Sequence, residues 1–335
     1  FDTSTGWAPL KIWTDHPPQG LPPEGAVTKF DYLTRRFFSG DPDATKRGIG
    51  VPDSTPIPAM VVPLAMAGTG IRALKVTRAS EITMRTTRWS WVDNVLRLKW
   101  IPQGALTLLG GREGVGKSTL AYWLIAQITR GSLAGDNFGR PRSVIIAATE
   151  DAWEQTIVPR LVAAGADLSR VLRVDVMRSD DLMEGLTLPT DVPAVTQLCT
   201  TEDVGMILLD PLLGTIKGSL DTHKDSEVRQ ALEPLSRLAH DAQVTMIGLI
   251  HQNKASQGDL LTKLMGSRAF SAVARAVLVC AAETNPVQVD HQADVPERTF
   301  LFGQLKSNLG PKVMTTYRYR ITEHTVGTDP EYGDP

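Results

Sequence analysis

Residues 105–130 read ALTLLGGREGVGKSTLAYWLIAQITR, and this stretch decides the fold. Ala-Leu-Thr-Leu-Leu is an apolar run short enough for a buried strand, and glycine follows it. Gly110 and Gly111 are expected to open a loop that ends in Gly116-Lys117-Ser118-Thr119. From Gly111 the residues match G-x-x-x-x-G-K-[ST], the pattern of a phosphate-binding loop. Each residue type has a physical reason. Glycines let the backbone take conformations closed to other residues and bring its N–H groups against phosphate oxygens. The following helix points its electropositive N-terminus at the same oxygens. The cradle therefore comprises Gly111, Arg112, Glu113, Gly114, Val115, Gly116, Lys117, Ser118 and Thr119. Lys117 is placed to reach the β- and γ-phosphates of ATP, and the Ser118 hydroxyl to ligate Mg²⁺. Leu120, Trp123, Leu124, Gln127 and Ile128 follow helical spacing, and Gly131 is a natural stop.

The rest of the composition sets bounds. A chain of 335 residues holds one large domain or two ordinary ones, and 42% hydrophobic residues suffice for a core. A net charge of −2 carries no global basic signature, so any nucleic-acid contact must rest on a local patch. Cys199 and Cys280 are isolated and lack metal-ligand spacing, which suits buried thiols in a reducing cytoplasm. No apolar run approaches membrane-spanning length, and no secretory leader pattern opens the chain, so no membrane partner is expected. The first residue is Phe1, so a processed or trimmed product, or a piece of a longer protein, is expected.

Ten of the 22 prolines fall within residues 1–65, a density that forbids long helices and leaves extended or turn structure. Trp7, Trp13, Phe30, Tyr32, Phe37 and Phe38 are interspersed. That mixture describes an arm packed on another surface, the tail of an upstream domain or an oligomer-linking arm, with a short helix at residues 33–38. We expect an arm over residues 1–80, an ATPase domain over 81–325 and a tail over 326–335. Residues 70–100 carry seven Arg and Lys residues among Trp89, Trp91 and Trp100. Phosphate contact with base stacking is one reading of such a segment; a solvated strand whose tryptophans plug the core is the commoner one.

Downstream, apolar strands alternate with helical patterns, which argues for an α/β domain with a mostly parallel sheet flanked by helices. Strands are expected at 143–149, 171–176, 204–210, 244–250 and 276–281, with 298–306 and 312–321 as a closing hairpin. Helices are expected at 151–164, interrupted at Pro159, from 194, at 225–242 and at 265–275. In such sheets functional residues gather beyond the carboxyl ends of the strands. Asp210 ends one apolar run and is the expected second Mg²⁺-side residue. Glu150 ends another and is the candidate base that orients a water toward the γ-phosphate. His251 ends a third, as a γ-phosphate sensor or as a structural histidine. Two loops leave this face, one with Lys217 and Lys224 and one with Lys254 and Lys263, all four candidates for gripping a nucleic-acid backbone.

The motifs GGREGVGKST, AATEDAWEQTIVPRLVAAGADLSRV, MILLDPLLGTI, LIHQNK and MGSRAFSAVARAVL together resemble the RecA-like ATPases of the RepA type. These are hexameric, helicase-like enzymes of plasmids and phages, and the resemblance covers roughly residues 88–321. It implies a RecA-like phosphate-loop core, a head-to-tail homo-oligomeric ring of hexameric form, and ATP held between neighbours. It implies Lys117, Ser118, Glu150, Asp210 and His251 in the roles given above, single-stranded DNA as the polymer, and a primase or other replication partner. Ring helicases of this kind also supply a Lys-x-Arg pair to the neighbouring site. Here Lys306-Ser307-Asn308 stands in that place, and asparagine lacks the charge and fork of a guanidinium. Either Lys306 suffices in trans, or Arg268 or Arg275 helps, or hydrolysis is slow. A ring motor on single-stranded DNA is the leading expectation. A filament-forming recombination or repair ATPase and a nucleotide-switched loader are its rivals.

Overall fold

A computed structural model describes residues 10–13, 24–27, 60–63, 73–177, 183–216, 224–251, 268–283 and 299–327. The chain divides into two compact units, Phe1–Arg85 and Thr86–Pro335. In the first, β1 (Leu10–Trp13) pairs antiparallel with β2 (Glu24–Val27), and β3 (Met60–Pro63) with β4 (Ala73–Val76). The helix expected at residues 33–38 lies outside the described residues, as do Lys217, Lys254 and Lys263.

The second unit opens with a hairpin of β5 (Trp89–Val92) and β6 (Lys99–Pro102), which leads into β7 (Ala105–Gly111). All seven residues of β7 are buried, as a strand covered on both faces must be. Its glycines continue the strand, and the loop starts only after Gly111. β7 sits inside an eight-stranded sheet, completed by β8 (Ser143–Ala148), β9 (Val171–Arg173), β12 (Val204–Asp210), β13 (Thr245–His251), β14 (Ala276–Ala282), β15 (Thr299–Ser307) and β16 (Tyr317–Arg320). The order is β16-β15-β14-β7-β13-β12-β8-β9; β14 through β9 run parallel, and β15 and β16 fold back antiparallel at one edge. This is a RecA-like phosphate-loop core with a mostly parallel sheet.

Helices cover both faces. On one, α1 (Lys117–Thr129) and α2 (Val158–Ala164) pack Leu124, Ile125, Ile128 and Leu161 against Leu109 and Trp100. On the other, α3 (Val192–Thr201), α4 (Asp225–Ala242) and α5 (Arg268–Val273) pack Val195, Leu232, Leu235 and Phe270 against Leu106 and Leu108. The tryptophans of the basic approach segment pack into the core, Trp91 half-buried against it. Trp89 and Trp100 are buried, and Trp100 packs on Phe302 and Tyr317 at ring separations of 4.8 and 5.2 Å.

Three local expectations need correction. The helix read from residue 151 starts as a wide turn over Trp153–Ile157, and only then becomes α2. Pro159 falls in the first turn of α2, where no intrahelical N–H is required, and so begins the helix rather than breaking it. The strand read across residues 171–176 is two. β9 closes the sheet edge, while β10 (Asp175–Met177) turns away to pair with β11 (Met183–Gly185), and an Arg173–Asp175 ion pair of 2.7 Å holds the corner. The helix expected from Ala194 starts at Val192, again with proline in its first turn. Among the described residues no helix is long and apolar enough to cross a membrane.

Candidate active site at the carboxyl ends of the parallel strands

The register of the sheet brings the strand ends together. His251 on β13 lies opposite Gly111 on β7, and Asp210 on β12 lies opposite Ala148 on β8, two residues before Glu150. The loop between β7 and α1 is shaped by glycine. A side chain at Gly111 would put its Cβ 2.4 Å from the carbonyl oxygen of Cys280 on β14, a backbone atom that cannot step aside. Gly116, the residue before α1, has φ +77° and sits beneath Ile321. We expect Gly111→Ala to cost about 1–3 kcal/mol, as overpacking against fixed backbone does, read as a lower midpoint in denaturant. A midpoint equal to the parent's would show that the loop is not pinned against β14.

Lys117 is 6% exposed, although it carries the loop's cation. Its Nζ donates to the Arg112 carbonyl at 2.8 Å and lies 3.4 Å from Nδ1 of His251. Burial pulls its pKa below the ordinary lysine value, while the charges of Asp210 and Glu113 oppose that shift. The ammonium is therefore curled under its own loop. Asp210 is pushed the other way. Burial raises its carboxyl, a hydrogen bond with the Ser118 side chain lowers it, and the neighbouring charges of Asp151 and Glu150 raise it further. Ser118 and Asp210, 92 residues apart in sequence, thus lie side by side.

This donor set fits Mg²⁺ with a nucleotide. A hydroxyl and a carboxylate side by side are hard oxygen ligands, and Mg²⁺ takes one or two such protein groups with phosphates and waters. Among the described residues no three His, Cys, Asp or Glu side chains converge to hold a metal by themselves. The ion would rest on Ser118, Asp210 and phosphate oxygens, where its charge offsets that of the β- and γ-phosphates.

The remaining candidates fall in different places. Glu150 is exposed just past the end of β8, close enough for its charge to act on Asp210. Lys306 is elsewhere. It sits on β15 opposite Val277, which pairs with Leu108, so it lies well back from the strand ends. Its Nζ donates to the carbonyls of Ser271 and Ala274, the latter at 2.9 Å, and so caps the end of α5. Asn308 donates its backbone N–H to the Arg275 carbonyl at 2.9 Å. Lys224 precedes α4 and pairs with Glu227 at 3.0 Å.

Sequence reasoning missed the clamp on the phosphate loop. The Tyr319 hydroxyl donates to the Val115 carbonyl at 2.5 Å and shares a hydrogen bond with the Cys280 thiol. Ile321 lies over Gly116. The signal was the alternation Tyr317-Arg-Tyr319-Arg-Ile321, which turns tyrosine, tyrosine and isoleucine to one side of an edge strand. A cleft of about 1130 Å³ runs between this clamp and α1, and Lys117, Ser118 and His251 line it.

The profile of a family described as an AAA domain matches residues 72–257, more than half of the chain and a span that includes Lys117, Ser118, Glu150, Asp210 and His251. No curated protein matches the chain. With the phosphate loop, the Ser118–Asp210 contact and the sheet that aligns them, the chain belongs to this AAA domain family and is a P-loop ATPase.

Proposed function

We propose that the protein is a Mg-ATP-hydrolysing motor of the RepA type that assembles as a ring, a hexamer by family resemblance, and moves on single-stranded DNA during replication. The observation that carries the reading is the 3.4 Å approach of Lys117 Nζ to His251 Nδ1. It links the phosphate lysine to the last residue of β13, after which the sequence continues into the segment bearing Lys254 and Lys263. A γ-phosphate that draws Lys117 out of its contact with the Arg112 carbonyl alters the surroundings of His251, the residue from which that segment departs. Lys217, Lys224, Lys254 and Lys263 are the proposed backbone contacts, whose binding would weaken with salt as counterions are released. Glu150 is the proposed base for water.

A slower, switch-like ATPase that works through a partner is the second reading, and one observation favours it. Lys306, proposed to act on the neighbouring site, is already engaged by the Ser271 and Ala274 carbonyls, and Asn308 replaces the arginine that would assist it. To act in trans, Lys306 must leave the end of α5.

The test is ATP turnover with and without single-stranded DNA. A rise of about ten-fold or more on adding DNA, lost as salt is raised, is expected of the motor. Turnover indifferent to DNA would overturn the DNA reading, and tight ATP binding with negligible turnover would favour the switch.

A further inference from the structure

The phosphates account for one end of the cleft and leave the other unexplained. α1 is buried on most of its surface, with Ala121, Tyr122, Leu124, Ile125 and Ala126 in the core. Trp123 is 38% exposed and lines the cleft that Lys117 and Ser118 also line. An indole is the side chain with most apolar area to gain from burial, so leaving it open on an otherwise buried helix is costly. Its orientation is nonetheless fixed. The Trp123 ring meets Trp91 edge-on at 5.5 Å and 64°, and Trp91 is stacked on Trp100 at 5.6 Å and on Phe302 at 5.4 Å. Trp123 is therefore the open end of a rigid aromatic stack rooted in the core.

We propose that Trp123 is the platform for the nucleobase of the bound nucleotide, an inference that rests on the phosphates lying in the loop of residues 111–118. Thr119 and Trp123 are four residues apart and share a helix face, about 6 Å apart along the axis. That is the length of a ribose between the last phosphate and the base. Leu120 supplies the apolar floor between them, and Thr322 and His324 line the opposite side of the same cleft. A cleft of about 1130 Å³ has room for a nucleoside as well as its phosphates. Stacking is tolerant of base identity because every base has a π-face. The platform therefore favours the larger purines and distinguishes adenine from guanine weakly.

Two measurements on the full chain test this. Titration calorimetry compares Mg-ATP with Mg-tripolyphosphate, which has the phosphates and no base, on the parent and on Trp123→Leu. Trp123→Leu is expected to bind ATP about ten-fold more weakly, the scale of losing one base–aromatic stack, with tripolyphosphate affinity unchanged and Trp123→Phe restoring most of the loss. Undiminished ATP affinity in a Trp123→Leu protein that melts like the parent would overturn the platform. So would a loss confined to a single-stranded oligonucleotide. Failure of the parent to bind tripolyphosphate at all would instead strike at the phosphate-loop reading beneath it. The second measurement needs no variant: ATP and GTP are expected to bind the parent several-fold more tightly than CTP and UTP, and equal affinity for all four would overturn the proposal.

Discussion

Lys117→Ala is expected to abolish turnover, by at least about 10²-fold, the usual loss when a group stabilising transition-state charge is removed. Nucleotide affinity should fall with it. The less obvious half of the expectation concerns stability. Lys117 is 6% exposed, and burial pulls its pKa down, so its ammonium is held in the apo protein against an opposing desolvation cost. What it holds in return is one hydrogen bond to the Arg112 carbonyl and an approach to His251. Arg112 is exposed, so water can replace the lost donor. The alanine variant without nucleotide should therefore melt no lower than the parent, which separates a functional lysine from a structural one. Nucleotide should raise the melting temperature of the parent and leave the variant's unmoved. A variant that melts several degrees lower yet still gains stability from nucleotide would refute the assignment.

Glu150→Gln is expected to lower turnover about 10²–10⁴-fold, the range for losing a general base. Binding should survive, because glutamine keeps the length and hydrogen-bonding capacity and removes only the basic oxygen. Glu150 is exposed, so the change should shift stability by no more than about 0.5 kcal/mol. Its charge does act on Asp210, where it raises the carboxyl pKa. Removing it should let Asp210 ionise more readily and, if anything, tighten Mg²⁺-dependent nucleotide binding. Single-turnover hydrolysis and equilibrium binding measured side by side decide the matter. Retained turnover would move the base elsewhere, and Asp151, ion-paired with Arg160 at 3.4 Å, is then the next carboxylate to change.

The strand, loop and helix of residues 105–130 are legible in sequence because local signals agree there: an apolar run, glycines at fixed spacing and a lysine opening a helix. Asp210 and His251 are legible as strand ends for the same reason, and the sheet aligns them in space. What sequence hides is anything that depends on a distant partner. Lys306 reads as a cation offered to a neighbouring site, yet two carbonyls at the end of α5 hold it, more than 30 residues earlier in the chain. Trp91 and Trp100 read more readily as core than as base-stacking surface, but the partner that holds them there, Phe302, comes some 200 residues later and is invisible to any local pattern. Pro159 reads as a helix break because periodicity carries no information about where a wide turn ends.

The clamp of Tyr319 and Ile321 on the phosphate loop has a consequence for how the protein is made. Synthesis runs from the N-terminus, so the loop of residues 111–118 leaves the ribosome some 200 residues before the side chains that cover it. Its flanking strands are also late: β13 begins at Thr245 and β14 at Ala276. Throughout that interval the nascent chain carries β7, an all-buried strand with neither neighbour present, whose closure depends on contacts distant in sequence. The part of the molecule most recognisable in its sequence is thus among the last to take its final form.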